Sequence, residues 1–265
     1  MADGLAQRIE VARKVIREQI QFFHTHFSHV ESHWKEDNSR VTEADLALSQ
    51  TITRSILNAF PQDDFCSEEE LPPAGTVKNF SAEFAWVLDP IDGTNNFARG
   101  MPQCAISLAL LQNGVPVYGI LYDNAQKVFL EGGASVGLLK NGEKFVPVPA
   151  EPYDEHSIIS MHFPVKRGTL LALAPLLTVN PFRCQGSAAL NLAYNAFGAI
   201  DGSIDFKTKV WDIAAAYAML IASGRAIRFI KNNPFPLKNI CHKMPAIQWF
   251  AGTTYFMEKM KTINL

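Results

Sequence analysis

Ala85-Trp86-Val87-Leu88-Asp89-Pro90-Ile91-Asp92-Gly93-Thr94-Asn95-Asn96-Phe97 opens as an apolar run, counted from Phe84 to Leu88, and ends in two carboxylates three positions apart. The run predicts a buried strand, and Pro90 with Gly93 predicts a stiff turn at its end. Pro90 fixes its own φ and offers no N–H, while Gly93 allows a tight bend, so Asp89 and Asp92 can converge on one loop. Neighbouring carboxylates repel unless positive charge lies between them. A divalent, oxygen-seeking cation meets that need. Asp-Pro and Asp-Gly are also ordinary turn formers that close a strand with no chemistry attached, and the choice between the two readings falls to other segments.

The chain of 265 residues, 48% hydrophobic and 19% charged, has the composition of a globular protein with a sizeable core. A formal net charge of -2 and a pI near 6.4 give no general attraction for nucleic acid or an anionic membrane, so any anion site must be built locally. No apolar run reaches the length of a membrane span, and Met1-Ala2-Asp3-Gly4-Leu5-Ala6-Gln7-Arg8 lacks the pattern of a secretory signal. Cys66, Cys104, Cys184 and Cys241 are scattered without a Cys-x-x-Cys spacing. That points away from structural zinc and a disulfide framework, and towards reduced, mostly packed thiols in a cytoplasmic protein.

Upstream of the central stretch, Leu5, Ile9, Ala12, Ile16, Ile20 and Phe23 recur three or four apart and predict an amphipathic helix. His24, His26, His29 and His33 follow; with no fuller ligand set they read as a solvated helix end rather than a zinc site. Residues 35–45 read as a polar loop, and Leu46 to Phe60 as a second helix capped by Thr42 or Asp45 and stopped by Pro61. Phe65-Cys66-Ser67-Glu68-Glu69-Glu70 reads as a short strand ending in an acidic cluster, and residues 71–81 as an irregular connection. Taken singly, Asp45 is a carboxylate favoured by a helix dipole and the glutamates are a solvated face.

Downstream, apolar runs separated by Asn113-Gly114, Asp123-Asn124, Gly132-Gly133 and Asn141-Gly142 predict a largely antiparallel meander. It completes one lobe, residues 1–145, and Pro147, Pro149 and Pro152 lead into a second, residues 146–265. There residues 157–161 read as a strand, 169–177 as a helix, 188–197 as a small-residue helix with free N–H groups at Gly186-Ser187, and 200–206 as a strand. Residues 210–221 read as a buried helix with Asp212 in its first turn, where an N-cap is the commonest role for aspartate. Beyond Gly224 no chemistry is legible.

Five segments in order, Val41-Thr42-Glu43-Ala44-Asp45, Ser67-Glu68-Glu69, Asp89 to Phe97, Gly186-Ser187-Ala188-Ala189 and Trp211-Asp212-Ile213-Ala214-Ala215, resemble the inositol monophosphatase family. That family lies within the lithium-sensitive, magnesium-dependent phosphatases, which include fructose bisphosphatases. The resemblance implies an α+β fold, a layered α-β-α-β-α sandwich forming a single, usually dimeric, domain. It implies that Glu68, Asp89 and the carbonyl of Ile91 hold one Mg2+, that Asp89, Asp92 and Asp212 hold a second, and that a third, looser ion lies near Glu68. Asp45 and Thr94 would orient the attacking water, so Glu68, Thr94 and Asp45 stand as catalytic residues. Substrate contacts would come from Asp92, Gly93, Thr94, Gly186, Ser187, Ala188, Asp205 and Asp212. Asp205 stands where relatives carry a longer acidic residue that receives substrate hydroxyls, and Arg225 where a second glycine commonly follows Gly224.

The activity so implied is a Mg2+-dependent phosphomonoesterase acting on inositol monophosphate or a similar small polyol or sugar phosphate, inhibited by Li+ and Ca2+. A phosphate monoester dianion repels its nucleophile, so catalysis has to neutralise charge on attacking and leaving oxygens, and two or three Mg2+ ions held by carboxylates suit that task. The same scaffold also serves 3′-phosphoadenosine phosphatases, fructose bisphosphatases and histidinol phosphatases. A non-enzymatic alternative is a regulatory, nucleic-acid-associated protein that keeps the fold. That reading tolerates loss of carboxylates and needs concentrated basic charge, whereas all five carboxylates are present and no dense Lys/Arg run appears.

Overall fold

The computed structural model describes residues 2–35 and 40–263. Two helices, α1 (Ala2–Glu18) and α2 (Ile20–His26), lead to β1 (Ser32–Trp34), β2 (Arg40–Thr42) and α3 (Glu43–Ala59). Next come β3 (Asp64–Ser67), β4 (Val77–Asn79), β5 (Phe84–Asp92), the short helix α4 (Thr94–Ala98), β6 (Ala105–Gln112), β7 (Val115–Asp123), β8 (Val128–Gly133), β9 (Gly137–Lys140) and β10 (Glu143–Lys144). The second half runs β11 (Ile159–Met161), α5 (Arg167–Leu177), β12 (Phe182–Arg183), α6 (Ala188–Ala196), β13 (Gly202–Thr208) and α7 (Val210–Ala222). It closes with β14 (Ala226–Lys231), β15 (Asn239–Cys241), β16 (Ile247–Gly252) and α8 (Thr254–Met260).

Alternation along β5 sets the layers. Phe84, Trp86 and Leu88 point to one face of a seven-stranded sheet, ordered β10-β9-β8-β7-β6-β5-β3, and pack with Ile9, Ile16, Leu48 and Ile52 of α1 and α3. Ala85 and Val87 point to the other face, where they join α6, α7 and, beyond them, Trp249 and Ala251 of β16. The five-stranded sheet β12-β11-β13-β16-β14 turns its far face, Ile159, Met161, Ile204 and Phe250, to Leu173 and Leu176 of α5 and Phe256 and Met260 of α8. The result is an α+β fold of five layers, helices outside and between two sheets.

Helix α7 lies close on the first sheet because the facing residues are small. A Cβ at Gly119 of β7 would sit 2.1 Å from the Ala215 carbonyl oxygen, and Ala214, Ala215 and Ala216 are buried in the interface. Gly119→Ala is therefore expected to push α7 off the sheet, costing about 1–3 kcal/mol as an overpacked core does. Because Asp212 rides on that helix, activity should fall with the melting temperature; an unchanged thermal melt would remove the close approach from the account.

Several elements differ from the sequence expectation for non-local reasons. Inside the polar loop expected at 35–45, Arg40–Thr42 is strand β2, which pairs antiparallel with β1 from the stretch that reads as a solvated helix end, Ser32 opposite Thr42; residues 36–39 lie outside the described residues. The irregular connection at 71–81 contains β4, which pairs with β15 from the distant tail. Arg225 donates to Asn195 Oδ1 at 3.1 Å and to the Ile200 carbonyl at 2.6 Å, anchoring the turn after α7. Among the cysteines, Cys66 and Cys104 are buried as expected, but Cys184 is exposed. No described helix is long and apolar enough to cross a membrane.

Candidate active site

β5 is buried along its whole length and continues past Leu88 through Asp92. Asp89 pairs with Ser107 and Asp92 with Ala105 on β6, with a register shift between them. Residues three apart on a regular strand face opposite sides. Here Pro90 cannot join the ladder, and the irregularity re-aims the strand so that both carboxylates reach its end. Gly93 then turns at φ 86, where a Cβ would stand 3.0 Å from the Gln103 carbonyl and 3.2 Å from that of Gly186. Only glycine fits both the left-handed conformation and the space.

Glu68 arrives by register. β3 runs parallel to β5 with Ser67 opposite Leu88, and the Glu68 N–H donates to the Leu88 carbonyl at 3.1 Å, which sets Glu68 beside Asp89. Asp212 arrives by packing: in the first turn of α7 it accepts from the Lys209 N–H at 2.7 Å, where the helix dipole favours an anion. One carboxylate oxygen each of Glu68, Asp89 and Asp212 lies within 4.8 Å of the others, the only such acidic, histidine or cysteine group of three or more among the described residues. His24, read as part of a solvated helix end, meets the Tyr122 hydroxyl at 2.6 Å.

Electrostatics mark the group as one that needs a cation. Burial, and then the charges of Glu68, Asp92 and Asp212, push the Asp89 carboxyl well above its ordinary range, and burial with Asp92 and Glu68 does the same to Asp212. Burial and Glu68 carry Glu69 to about 7. Lys35 supplies positive charge at one edge, its Nζ 3.0 Å from Glu68 Oε1 and 2.6 Å from Glu69 Oε1. Burial penalises the Lys35 ammonium, yet the two glutamates outweigh it and raise its pKa. An all-oxygen, carboxylate-only donor set of this kind suits Mg2+ and not zinc, which favours nitrogen and sulfur.

Around the group, Thr42 caps α3 and Asp45 closes the capping box, accepting the Thr42 N–H at 2.8 Å. The free side of Asp45 faces Thr94: Oγ1 lies 3.2 Å from Asp45 Oδ1 and 2.9 Å from the Ile91 carbonyl. Burial, partly offset by the Thr42 hydrogen bonds, takes Asp45 to about 6. Asp92 turns to the start of α6, accepting from the Ser187 hydroxyl, from Ala188 N–H at 3.3 Å and from Ala189 N–H at 3.0 Å. Those bonds only partly offset burial, and Asp92 also stands near 6. Gly186 is pinned nearby, since Asn96 Nδ2 donates to the carbonyls of Gln103 and Gln185 at 2.7 Å each.

The signs of these shifts predict a pH dependence. Carboxyls raised in the folded protein bind protons that the unfolded chain has released, so stability falls as pH climbs from the ordinary carboxylate range through about 6 to 7. In chelator, the melting temperature should drop across that window, and added Mg2+ should recover more at pH 7.5 than at pH 5.5, because metal and protons compete for the same oxygens. A melting temperature in chelator that is flat or rises over the window would remove the repulsion from the account.

Sequence reasoning named Glu68, Asp89, Asp212, Asp92, Asp45, Thr94, Gly93 and the Gly186-Ser187-Ala188 turn, and these gather at one end of β5. It placed Asp205 as a receiver of substrate hydroxyls. The structure instead sets Asp205 behind His162, whose Nδ1 lies 3.1 Å from Asp205 Oδ2, with 2% of the Asp205 side chain exposed against 30% for His162. Burial works against the His162 imidazolium, but Asp205, with Asp92 and Asp212, outweighs it and lifts the ring to about 9. Lys35 and His162 were missed. Only the parallel pairing of β11 with β13, Met161 opposite Ile204, brings His162 beside Asp205.

Residues 2–248 match the model of the inositol monophosphatase family. The chain is 30% identical to the Nus factor SuhB of Escherichia coli K12 over 201 residues, 74% of this chain and 73% of that one. It is 32% identical to the probable inositol 1-monophosphatase ImpA of Mycobacterium tuberculosis over 218 residues, 76% of this chain and 75% of that one. The structure of an IMPase/NADP phosphatase complexed with Mg2+ and phosphate superposes with a TM-score of 0.82 at 20% identity, covering 98% of this chain and 95% of that one, a likeness of fold. With the match running through every segment that builds the carboxylate group, the chain belongs to the inositol monophosphatase family.

Proposed function

We propose that the protein is a Mg2+-dependent phosphomonoesterase that releases phosphate from a small phosphate ester by attack of water. The observation that carries this reading is the convergence of Glu68, Asp89 and Asp212, delivered by a strand register, a strand end and a helix start. These three would hold the metal, joined by the Ile91 carbonyl and by Asp92 once its carboxylate turns from α6. Bound there, Mg2+ supplies positive charge for the phosphoryl oxygens and acidifies a coordinated water.

The chain's own groups do the rest. Thr94 Oγ1, between Asp45 and the Ile91 carbonyl, can pass its proton to Asp45 and accept one from a water on its open side. Asp45, near 6, is poised as the final acceptor at neutral pH. The N–H groups of Gly93 and Thr94, at the start of α4, would hold phosphate oxygens, as turn amides do.

Phosphate release from inositol 1-phosphate, fructose 1,6-bisphosphate and adenosine 3′,5′-bisphosphate, with Mg2+ and with chelator, tests the reading. Release should require the metal. Thr94→Val, which keeps the side-chain volume and removes the hydroxyl, should lower kcat about 10²-fold, the scale of a lost acid-base group, while Mg2+ binding measured by calorimetry persists. Metal-independent release, no release from any ester, or a Thr94→Val enzyme of normal kcat would overturn it.

A second reading, a role with the transcription machinery, takes its support from the name of the Escherichia coli relative, Nus factor SuhB. Retention of the whole carboxylate set favours catalysis, because a protein that used only its surface would have no need to bury so much like charge.

A further inference from the structure

A pocket of about 230 Å³ opens beside Asp212, with His162, Phe163, Asp205 and Lys207 in its wall. A groove of about 510 Å³ shares Lys207 with it and adds Lys166 and Lys231, and no carboxylate lines that groove. All three lysines are exposed. None of them forms an ion pair among the described residues. The acceptor that would greet a substrate hydroxyl is already engaged. Asp205 Oδ2 meets His162 Nδ1 at 3.1 Å, and Oδ1 accepts the Lys207 N–H at 2.9 Å. With only 2% of its side chain exposed, Asp205 is screened by the imidazole. What a substrate meets next to Asp212 is therefore an imidazole in front of Asp205, and outward from it three lysines.

We infer that the preferred substrate carries a second anionic group, held by Lys207 and His162 and attracted along Lys166 and Lys231, so that the enzyme acts on bisphosphates in preference to the phosphate of a neutral polyol. This rests on the phosphatase reading of the carboxylate site. A phosphate or carboxylate sets opposite charge against an ammonium or imidazolium group, where a neutral hydroxyl offers only a lone pair. A polyol hydroxyl can accept from the same donors, but without a charge of its own it gains less. The second anion could belong to a sugar bisphosphate or to a nucleoside bisphosphate. Phe163, 44% exposed at the mouth, gives a base a face to stack on.

The test compares kcat/KM for inositol 1-phosphate, fructose 1,6-bisphosphate and adenosine 3′,5′-bisphosphate in saturating Mg2+, for the wild type, Lys207→Gln and the double variant Lys166→Gln, Lys231→Gln. The wild type should favour one of the bisphosphates by about tenfold or more over inositol 1-phosphate, and Lys207→Gln should cut that ratio about tenfold, chiefly through KM. KM for the bisphosphate should also rise with salt, and the double variant should flatten that rise. Thermal melts of each variant check that it is folded. A wild type that handles inositol 1-phosphate as well as either bisphosphate, or a ratio unmoved by Lys207→Gln in folded protein, overturns the inference. Absence of phosphate release from all three esters instead overturns the phosphatase reading itself, and the better of the two bisphosphates identifies the source of the second anion.

Discussion

Asp89→Asn is expected to lower kcat by about 10³-fold or more, the scale of removing a group that positions charge at the reacting centre, and yet to raise the melting temperature of the metal-free protein. Asp89 is 2% exposed, and the charges nearest it, Glu68, Asp92 and Asp212, share its sign. The hydrogen bond it accepts is from the Ile91 N–H at 3.1 Å. Ionised, it is a buried anion facing anions, and asparagine removes the charge at almost constant volume. For a protein of this size each kcal/mol of relieved repulsion is worth roughly 2–4 °C. In Mg2+ the order should reverse, since the wild type gains from the ion and the variant has lost a ligand. The measurements are phosphate release at saturating Mg2+ and thermal melts in chelator and in Mg2+. Near-normal turnover, or a variant less stable than the wild type in chelator, would mean that Asp89 does not sit at the heart of a metal site.

The parts of this site that the sequence makes legible are those whose geometry is local. The apolar run, the proline and the glycine of the central stretch announce a strand and a stiff turn. Thr42 with Asp45 announces a helix start, and the structure has both. Even there the strand runs on to Asp92, because pairing with β6 continues across the irregularity and no propensity rule marks such a bulge. The neighbours of Asp89 are a different matter. Glu68 stands beside it only because β3 and β5 pair in parallel with one particular register, and Asp212 only because Gly119 lets α7 settle on the sheet. Spacing in the chain encodes neither, and the resemblance to a family, not periodicity, named those two residues. His162 and Lys35 show the remaining gap. His162 depends on the pairing of β11 with β13, and Lys35 follows β1, which pairs with β2 although the two strands read as a helix end and a loop. The charge character of the pocket, on which substrate choice turns, thus comes from contacts that a linear reading does not contain.

Asp92→Asn, three positions along the same strand, is expected to abolish turnover to a similar extent but to move stability the other way. The Asp92 carboxylate accepts from the Ser187 hydroxyl and from the N–H groups of Ala188 and Ala189, so it ties β5 to the start of α6 as well as standing in reach of Asp212. An amide in its place has one acceptor oxygen. If that oxygen keeps the Ala189 N–H and the serine hydroxyl, its NH2 group is turned towards the Ala188 N–H, donor against donor, in a buried position. Loss of one buried hydrogen bond with an unsatisfied donor left behind costs about 1–3 kcal/mol, against a repulsion from Asp212 that the substitution relieves. Asp92 stands near 6 although Ser187 and the amides pull it down, whereas Asp89 has only acidic neighbours among the charges that shift it. The net effect should therefore be a lower melting temperature in chelator for Asp92→Asn beside a higher one for Asp89→Asn. Ser187→Ala separates the two roles of Asp92: it should reproduce part of the fall in stability while leaving the carboxylate free for metal, so its turnover should exceed that of Asp92→Asn by orders of magnitude. Equal melting shifts for the two aspartate variants would show that the α6 amides do not hold Asp92, and a fully active Asp92→Asn would show that the carboxylate is needed for neither task.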